Sequence, residues 1–223
     1  MRSAANRPVF CYVTDGSAFP AANRINMLRE RIRAAMDAGA DWAQVREKDL
    51  GARELLELTR DAVETASLGR TRSLVVVNDR LDVALAAGAD GVHLGGEAVP
   101  VREAMEWIRP RRVHEDFLLG VSCHTAEEVQ TAAEAGASYV FFGPIFDTPS
   151  KRAFGPPQAL QKLAEVCRAA VIPVVAIGGI NIGNVRDCLA AGASGIAAIR
   201  MFQEAEDAAK LKAELERLRD STR

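Results

Sequence analysis

The stretch Ala38-Gly39-Ala40-Asp41 returns as Ala87-Gly88-Ala89-Asp90, Ala135-Gly136-Ala137-Ser138 and Ala191-Gly192-Ala193-Ser194, with its glycines 49, 48 and 56 residues apart. Each copy follows an amphipathic helical pattern and precedes a short apolar run. Glycine just past a helix takes the left-handed conformation at little cost and lets the chain turn into a strand. The flanking alanines allow a helix to pack closely on a sheet.

Four further apolar runs lie between these copies. Strands are expected at Val9–Thr14, Trp42–Arg46, Ser73–Asn78, Gly91–Leu94, Leu118–Ser122, Tyr139–Gly143, Val174–Ile177 and Gly195–Ile199. Several are apolar throughout, the pattern of parallel strands buried on both faces. Helical patterns follow them at Asn23–Ala38, Ala52–Ser67, Arg80–Ala87, Val99–Arg109, Thr125–Ala135, Gln158–Ala169, Asn184–Ala191 and Ala205–Leu218. Thr125 with Glu128 has the form of a capping box. Eight strand–helix units in 223 residues predict an α/β chain folded as one (β/α)8 TIM-barrel domain. Residues 1–8 read as an N-terminal extension and the barrel as about 9–219. A doubly wound open sheet is the alternative, but the first strand runs into Thr14-Asp15-Gly16 and no G-x-G-x-x-G follows it.

The 28 basic and 30 acidic side chains leave a formal charge of −2, against a nucleic-acid partner. Apolar residues at 48% and charged residues at 26% are the proportions of an ordinary soluble globular protein. The most apolar stretch, Ala169–Ile180, is shorter than the roughly 20 residues that span a bilayer. Met1–Pro8 holds no apolar signal segment. A cytoplasmic chain without a membrane partner is expected; a homo-oligomer is left open. Cys11, Cys123, Cys167 and Cys188 form no CxxC pair, so buried free thiols are expected rather than a disulfide or zinc site.

In a barrel the chemistry sits at and beyond the C-terminal strand ends. Gln44, Arg46 and Lys48 alternate within Gln44-Val45-Arg46-Glu47-Lys48 and so share a face; two cations and an amide suit an anion, or simply reach solvent. Asp79, after Asn78, could hold Mg2+ through one carboxylate or cap the following helix. Gly178-Gly179 after strand seven suits a phosphate site or a tight turn, and Arg200 after strand eight favours phosphate. Thr148, Ser150 and Lys151 form a hydroxyl-and-cation cluster on a loop long enough for a lid, or an ordinary turn around Pro149. His93 and His124 are either acid–base groups or packed barrel-end histidines.

Taken together, these segments resemble the thiamine-phosphate synthase family. The resemblance rests on Tyr12-Val13-Thr14-Asp15, Gln44–Lys48, Asn78-Asp79-Arg80, Ala89–Gly95, Gly120–Thr125, Phe142–Phe146 with Thr148–Lys151, and Ala176–Ile180. It implies condensation of 4-amino-5-hydroxymethyl-2-methylpyrimidine diphosphate with a thiazole phosphate to give thiamine phosphate and diphosphate. Diphosphate would leave first, and the thiazole nitrogen would capture the pyrimidine cation. The resemblance implies that the segment Gln44, Val45, Arg46, Glu47, Lys48, together with Asn78, Ser122 and Lys151, holds the pyrimidine diphosphate. Thr148, Pro149, Ser150, Gly179, Ile199 and Arg200 would hold the thiazole phosphate. Lys48, Asp79 and Lys151 would be catalytic, with Asp79 the ligand of Mg2+. Two positions depart from the family pattern: Ala98 stands where a second Mg2+-binding Asp is usual, next to Glu97, and Arg200 where Ser is common. A thiazole tautomerase using His124, or a non-catalytic binder of thiamine-pathway ligands, are the alternatives. Lys48 and Asp79 belong to a diphosphate half that a tautomerase does not need.

Overall fold

The computed structural model describes residues 7–69, 72–108, 116–147 and 157–220. Its strands are β1 (Val9–Val13), β2 (Trp42–Val45), β3 (Leu74–Asn78), β4 (Gly91–Leu94), β5 (Leu118–Cys123), β6 (Tyr139–Phe142), β7 (Val174–Ile177) and β8 (Gly195–Ala198). All pair in parallel and in sequence order, and β8 returns to β1 to close the barrel. The helices are α1 (Arg24–Asp37), α2 (Ala52–Leu68), α3 (Leu81–Ala87), α4 (Val101–Ile108), α5 (Ala126–Ala135), α6 (Ala159–Ala169), α7 (Val185–Ala190), α8 (Arg200–Gln203) and α9 (Ala208–Asp220). This is the expected (β/α)8 barrel, not the open sheet. No helix among the described residues is long and apolar enough to cross a membrane.

The recurring tetrapeptide has two physical jobs. Gly39, Gly88, Gly136 and Gly192 all adopt positive φ, at 99°, 71°, 99° and 98°, where a side chain would be strained. The polar residue two places on then pins an even strand to the odd strand before it. Asp41 accepts the Phe10 N–H at 2.9 Å, Asp90 the Val75 N–H at 2.9 Å, and Ser138 the Leu119 N–H at 3.0 Å. Their own N–H groups return to the carbonyls of Phe10, Val75 and Leu119 at 2.8, 2.8 and 2.7 Å. Asp41 also receives the Arg219 guanidinium at 2.8 Å, which lies 4.7 Å over the Phe10 ring and so docks α9 on the N-terminal end of the barrel.

Strand alternation splits the core into two layers. Residues such as Phe10, Ala43, Val45, Val77, Val92, Leu119, Phe142 and Ile196 pack outward against the helices. Cys11, Val13, Trp42, Val76, Leu118, Tyr139, Phe141 and Val175 fill the barrel itself. Trp42 meets Tyr139 edge-on with ring centroids 4.7 Å apart, and Gly120 leaves the space that the Tyr139 ring fills. The thiols are free, and burial pushes Cys123 and Cys188 up to about 12, so they stay protonated.

Most element ends fall within one or two residues of expectation, and the larger differences lie after β7. β8 ends at Ala198, because Ile199 already has helical backbone angles and caps the short α8, which the apolar pattern does not announce. Arg200 therefore opens a helix instead of ending a strand. The last helix starts at Ala208, where the Asp207 carboxylate accepts the N–H groups of Ala209 and Lys210, both at 2.9 Å.

Candidate active site

Gln44, Asn78, His93 and Ser122 occupy inward positions at the C-terminal ends of their strands, with His93 level with Asn78 on one side and Gly120 on the other. A chain of hydrogen bonds ties the first two to Asp79. The Asp79 carboxylate accepts the Gly95 N–H at 2.7 Å on one oxygen and the Asn78 amide N–H at 2.6 Å on the other. An ionised carboxylate only accepts, so Asn78 must turn its amide oxygen towards Gln44, whose own NH2 donates to it at 2.9 Å. The Gln44 oxygen is then buried with no partner among the described residues. Asp79 does not cap α3: Arg80 occupies the cap position and pairs with Asp82. Its φ of 60° is a conformation that Asp tolerates better than most residues.

Gln44–Lys48 divides as alternation requires. Arg46 is half-buried on the inner face and Lys48 is exposed at the rim. Val45 packs in the outer core, which leaves it only its backbone to offer the site. Glu47, 6% exposed, is turned into the wall between β1 and β2. There it accepts the Thr14 hydroxyl at 2.6 Å and the Gly16 N–H at 2.9 and 3.1 Å, while Thr14 accepts the Arg46 N–H at 2.9 Å. Burial pushes the Glu47 carboxyl above the usual range, against the pull of those hydrogen bonds.

His93 is 1% exposed, stacked 4.2 Å from Phe141, and bonded to Tyr139 and Ser122. Burial, then the Arg46 charge, push its pKa down from 6.5 to about 3, so it stays neutral. The unfolded chain takes up this proton near pH 6.5 and the folded one only near 3, so stability present above 6.5 is lost as pH falls between them. The loss reaches up to about 5 kcal/mol. Denaturation midpoints followed downward from neutral pH check this; His93→Gln should flatten the slope, and an unchanged slope would assign it to another group. His124 is exposed, its Nδ1 held 2.5 Å from the Gly143 carbonyl.

Gly178 and Gly179, at φ 98° and 67°, let the loops after β6 and β7 lie together. A Cβ on Gly179 would stand 2.7 Å from the Phe146 Cβ. Thr148, Pro149, Ser150 and Lys151 lie outside the described residues. Ile199 is half-buried and Arg200 exposed at the start of α8. Glu97 is exposed, and Ala98 packs its methyl against the core.

Three residues with clear roles at this end escaped the sequence reading: Thr14, Tyr139 and Gln203. Gln203 accepts the Tyr12 hydroxyl at 3.0 Å and donates to the Asp15 carbonyl at 2.8 Å, clasping the β1 loop to α8. The signal was present, since the chain has only two tyrosines and a strand tyrosine used where phenylalanine would pack implies a partner for its hydroxyl.

Residues 11–202 match the family described as thiamine monophosphate synthase. The chain belongs to the thiamine monophosphate synthase family. It is similar to a thiamine-phosphate synthase of Anaeromyxobacter dehalogenans, at 44% identity over 92% of this chain and 87% of that one. A thiamine-phosphate synthase of Roseiflexus sp. is 43% identical over 81% of this chain and 73% of its own length. Among solved structures, a thiamine phosphate pyrophosphorylase from Pyrococcus furiosus superposes with a TM-score of 0.82 at 34% identity, covering 97% and 98% of the two chains. The thiamine monophosphate synthase match takes in the hydrogen-bonded chain from Gln44 to Gly95 and ends at Phe202, before α9.

Proposed function

We propose that this chain joins 4-amino-5-hydroxymethyl-2-methylpyrimidine diphosphate to a thiazole phosphate, as a transferase that releases diphosphate and forms thiamine phosphate. Thiamine-phosphate synthesis is the activity of its family. The observation that carries the substrate reading is the buried, unpartnered oxygen of Gln44, whose amide is tied through Asn78 to the Asp79 carboxylate. An acceptor left unpaired in the protein interior is unfavourable until a donor arrives, and the 4-amino group of the pyrimidine is such a donor.

In this reading Arg46, Lys48, Asn78, Ser122 and Lys151 bind the diphosphate, and Arg46, Lys48 and Lys151 face the negative charge that grows on it as the carbon–oxygen bond breaks. Thr148, Pro149, Ser150, Gly179, Ile199 and Arg200 hold the thiazole phosphate so that the ring nitrogen lies in line with the vacated carbon. Asp79 suits Mg2+ as a single-carboxylate ligand: each of its oxygens takes one hydrogen bond and keeps further lone pairs. Among the described residues no cluster of three or more His, Cys, Asp or Glu side chains could hold a metal alone, which fits an ion shared with phosphate oxygens. When bound, Mg2+ would neutralise charge on the departing diphosphate. The reading keeps the substrates small, with a cytoplasmic setting.

Purified protein supplied with both substrates and Mg2+ is expected to yield thiamine phosphate and diphosphate in equal amounts; no product at high enzyme concentration would overturn the reading. Arg200→Ser is expected to raise KM for the thiazole phosphate by roughly three- to tenfold, the effect of losing one exposed charge-assisted contact, without moving KM for the diphosphate. Equal KM values would place Arg200 outside the pocket.

A further inference from the structure

We infer that Tyr139 and His93 are positioning residues that fix the direction of the Ser122 hydroxyl, keeping its hydrogen free as a donor to an anionic oxygen at the barrel mouth. The inference rests on the reading above that Ser122 touches the diphosphate.

The geometry is a three-membered chain. The Tyr139 hydroxyl lies 3.2 Å from His93 Nδ1, and His93 Nε2 lies 3.0 Å from Ser122 Oγ. Tyr139 and His93 are each 1% exposed, whereas Ser122 is half-buried. Burial holds the Tyr139 phenol protonated and the imidazole neutral. A neutral imidazole carries one hydrogen, so two arrangements exist. With the hydrogen on Nδ1, the ring donates to the Tyr139 oxygen, the phenol hydrogen is left without an acceptor in a dry interior, and Nε2 consumes the Ser122 hydrogen. With the hydrogen on Nε2, the phenol donates to Nδ1, the ring donates to Ser122 Oγ, and every buried hydrogen is paired. The only hydrogen left over is that of Ser122, which has the mouth in front of it. The second arrangement wins because an unmade hydrogen bond is costly inside and not at the opening.

The Ser122 donor then complements the Gln44 acceptor across the same mouth. Each is fixed from behind by a group of unambiguous polarity: a carboxylate that only accepts, and a buried phenol that must donate.

The experiment uses the full chain labelled with 15N-histidine. With three histidines the ring spectrum is readable, and His93→Gln assigns one set of signals. At neutral pH His93 is expected as the Nε2–H tautomer, with a hydrogen on Nδ1 overturning the relay. The tautomer itself is read in the unsubstituted chain. Tyr139→Phe, which keeps the packed ring, takes the phenol hydrogen away from Nδ1 and is expected to move the Nδ1 signal to that of a bare ring nitrogen; an unmoved signal also overturns the relay. Affinity for inorganic diphosphate with Mg2+, read by calorimetry, should fall about tenfold in Ser122→Ala and about three- to tenfold in Tyr139→Phe. Adding Tyr139→Phe to Ser122→Ala should cost nothing further, and additive losses would show that Tyr139 acts by another route. In turnover the Tyr139→Phe loss should fall mainly on KM. Wild-type diphosphate affinity in Ser122→Ala would overturn the substrate contact while leaving the tautomer result to judge the relay separately.

Discussion

Asp79→Asn is expected to lower turnover by on the order of 10²–10³-fold with little change in melting temperature. Asparagine accepts the left-handed backbone at this position and can still receive the Gly95 N–H, so the fold has no reason to give way. The chemistry changes twice. The carboxylate proposed to hold Mg2+ is gone, and the polarity of the Gln44–Asn78–Asp79 chain reverses. An amide NH2 at position 79 forces Asn78 to present its oxygen there and its NH2 to Gln44. Gln44 must then flip, so that a donor replaces the buried acceptor facing the mouth. KM for the pyrimidine diphosphate should rise as well. Steady-state rates and a thermal melt on the same preparation check this; a wild-type rate would remove Asp79 from the chemistry.

Gly120→Ala is expected to destabilise the barrel by roughly 3 kcal/mol, a loss of about 6–12 °C in Tm. A Cβ at this inward position would stand 2.1 Å from Tyr139 Cζ and 2.4 Å from its oxygen. The ring cannot swing aside, because Tyr139 is wedged against Trp42 and Phe141 at centroid distances of 4.7 and 5.4 Å. Interiors packed at crystal density resist even one added methyl. Calorimetric melts of Gly120→Ala and of Gly120→Ala with Tyr139→Leu check the mechanism: the smaller ring-less side chain should recover part of the loss, and an unshifted Tm in the single variant would show that the interior yields.

The contrast between these substitutions marks the border between pattern and packing. The Ala-Gly-Ala repeat announces the helix-to-strand turns because a left-handed glycine is a local requirement, met by its own backbone wherever the chain later goes. The apolar runs announce strands for the same reason, and eight such units suit a closed barrel. Gln44, Asn78, Asp79 and Arg46 were readable as mouth residues once strand ends were known. Glu47 shows the limit: it sits between two cations in sequence, yet turns into the wall because Thr14 and Gly16 from another strand receive it. The α8 turn was invisible, since four residues carry too little periodicity to read.

By itself, then, the amino-acid sequence determined the ring of eight units, the end of it proposed to carry chemistry, and the family resemblance. Each depends on local backbone preference or on the order of short motifs along the chain. Only the tertiary structure decided which way the polar groups point. The direction of the Gln44 amide is imposed by Asp79 across two strands, and that of the Ser122 hydroxyl by Tyr139 through His93. Hydrogen-bond polarity is set by partners brought together from distant segments, and no spacing along the chain encodes which of them will donate.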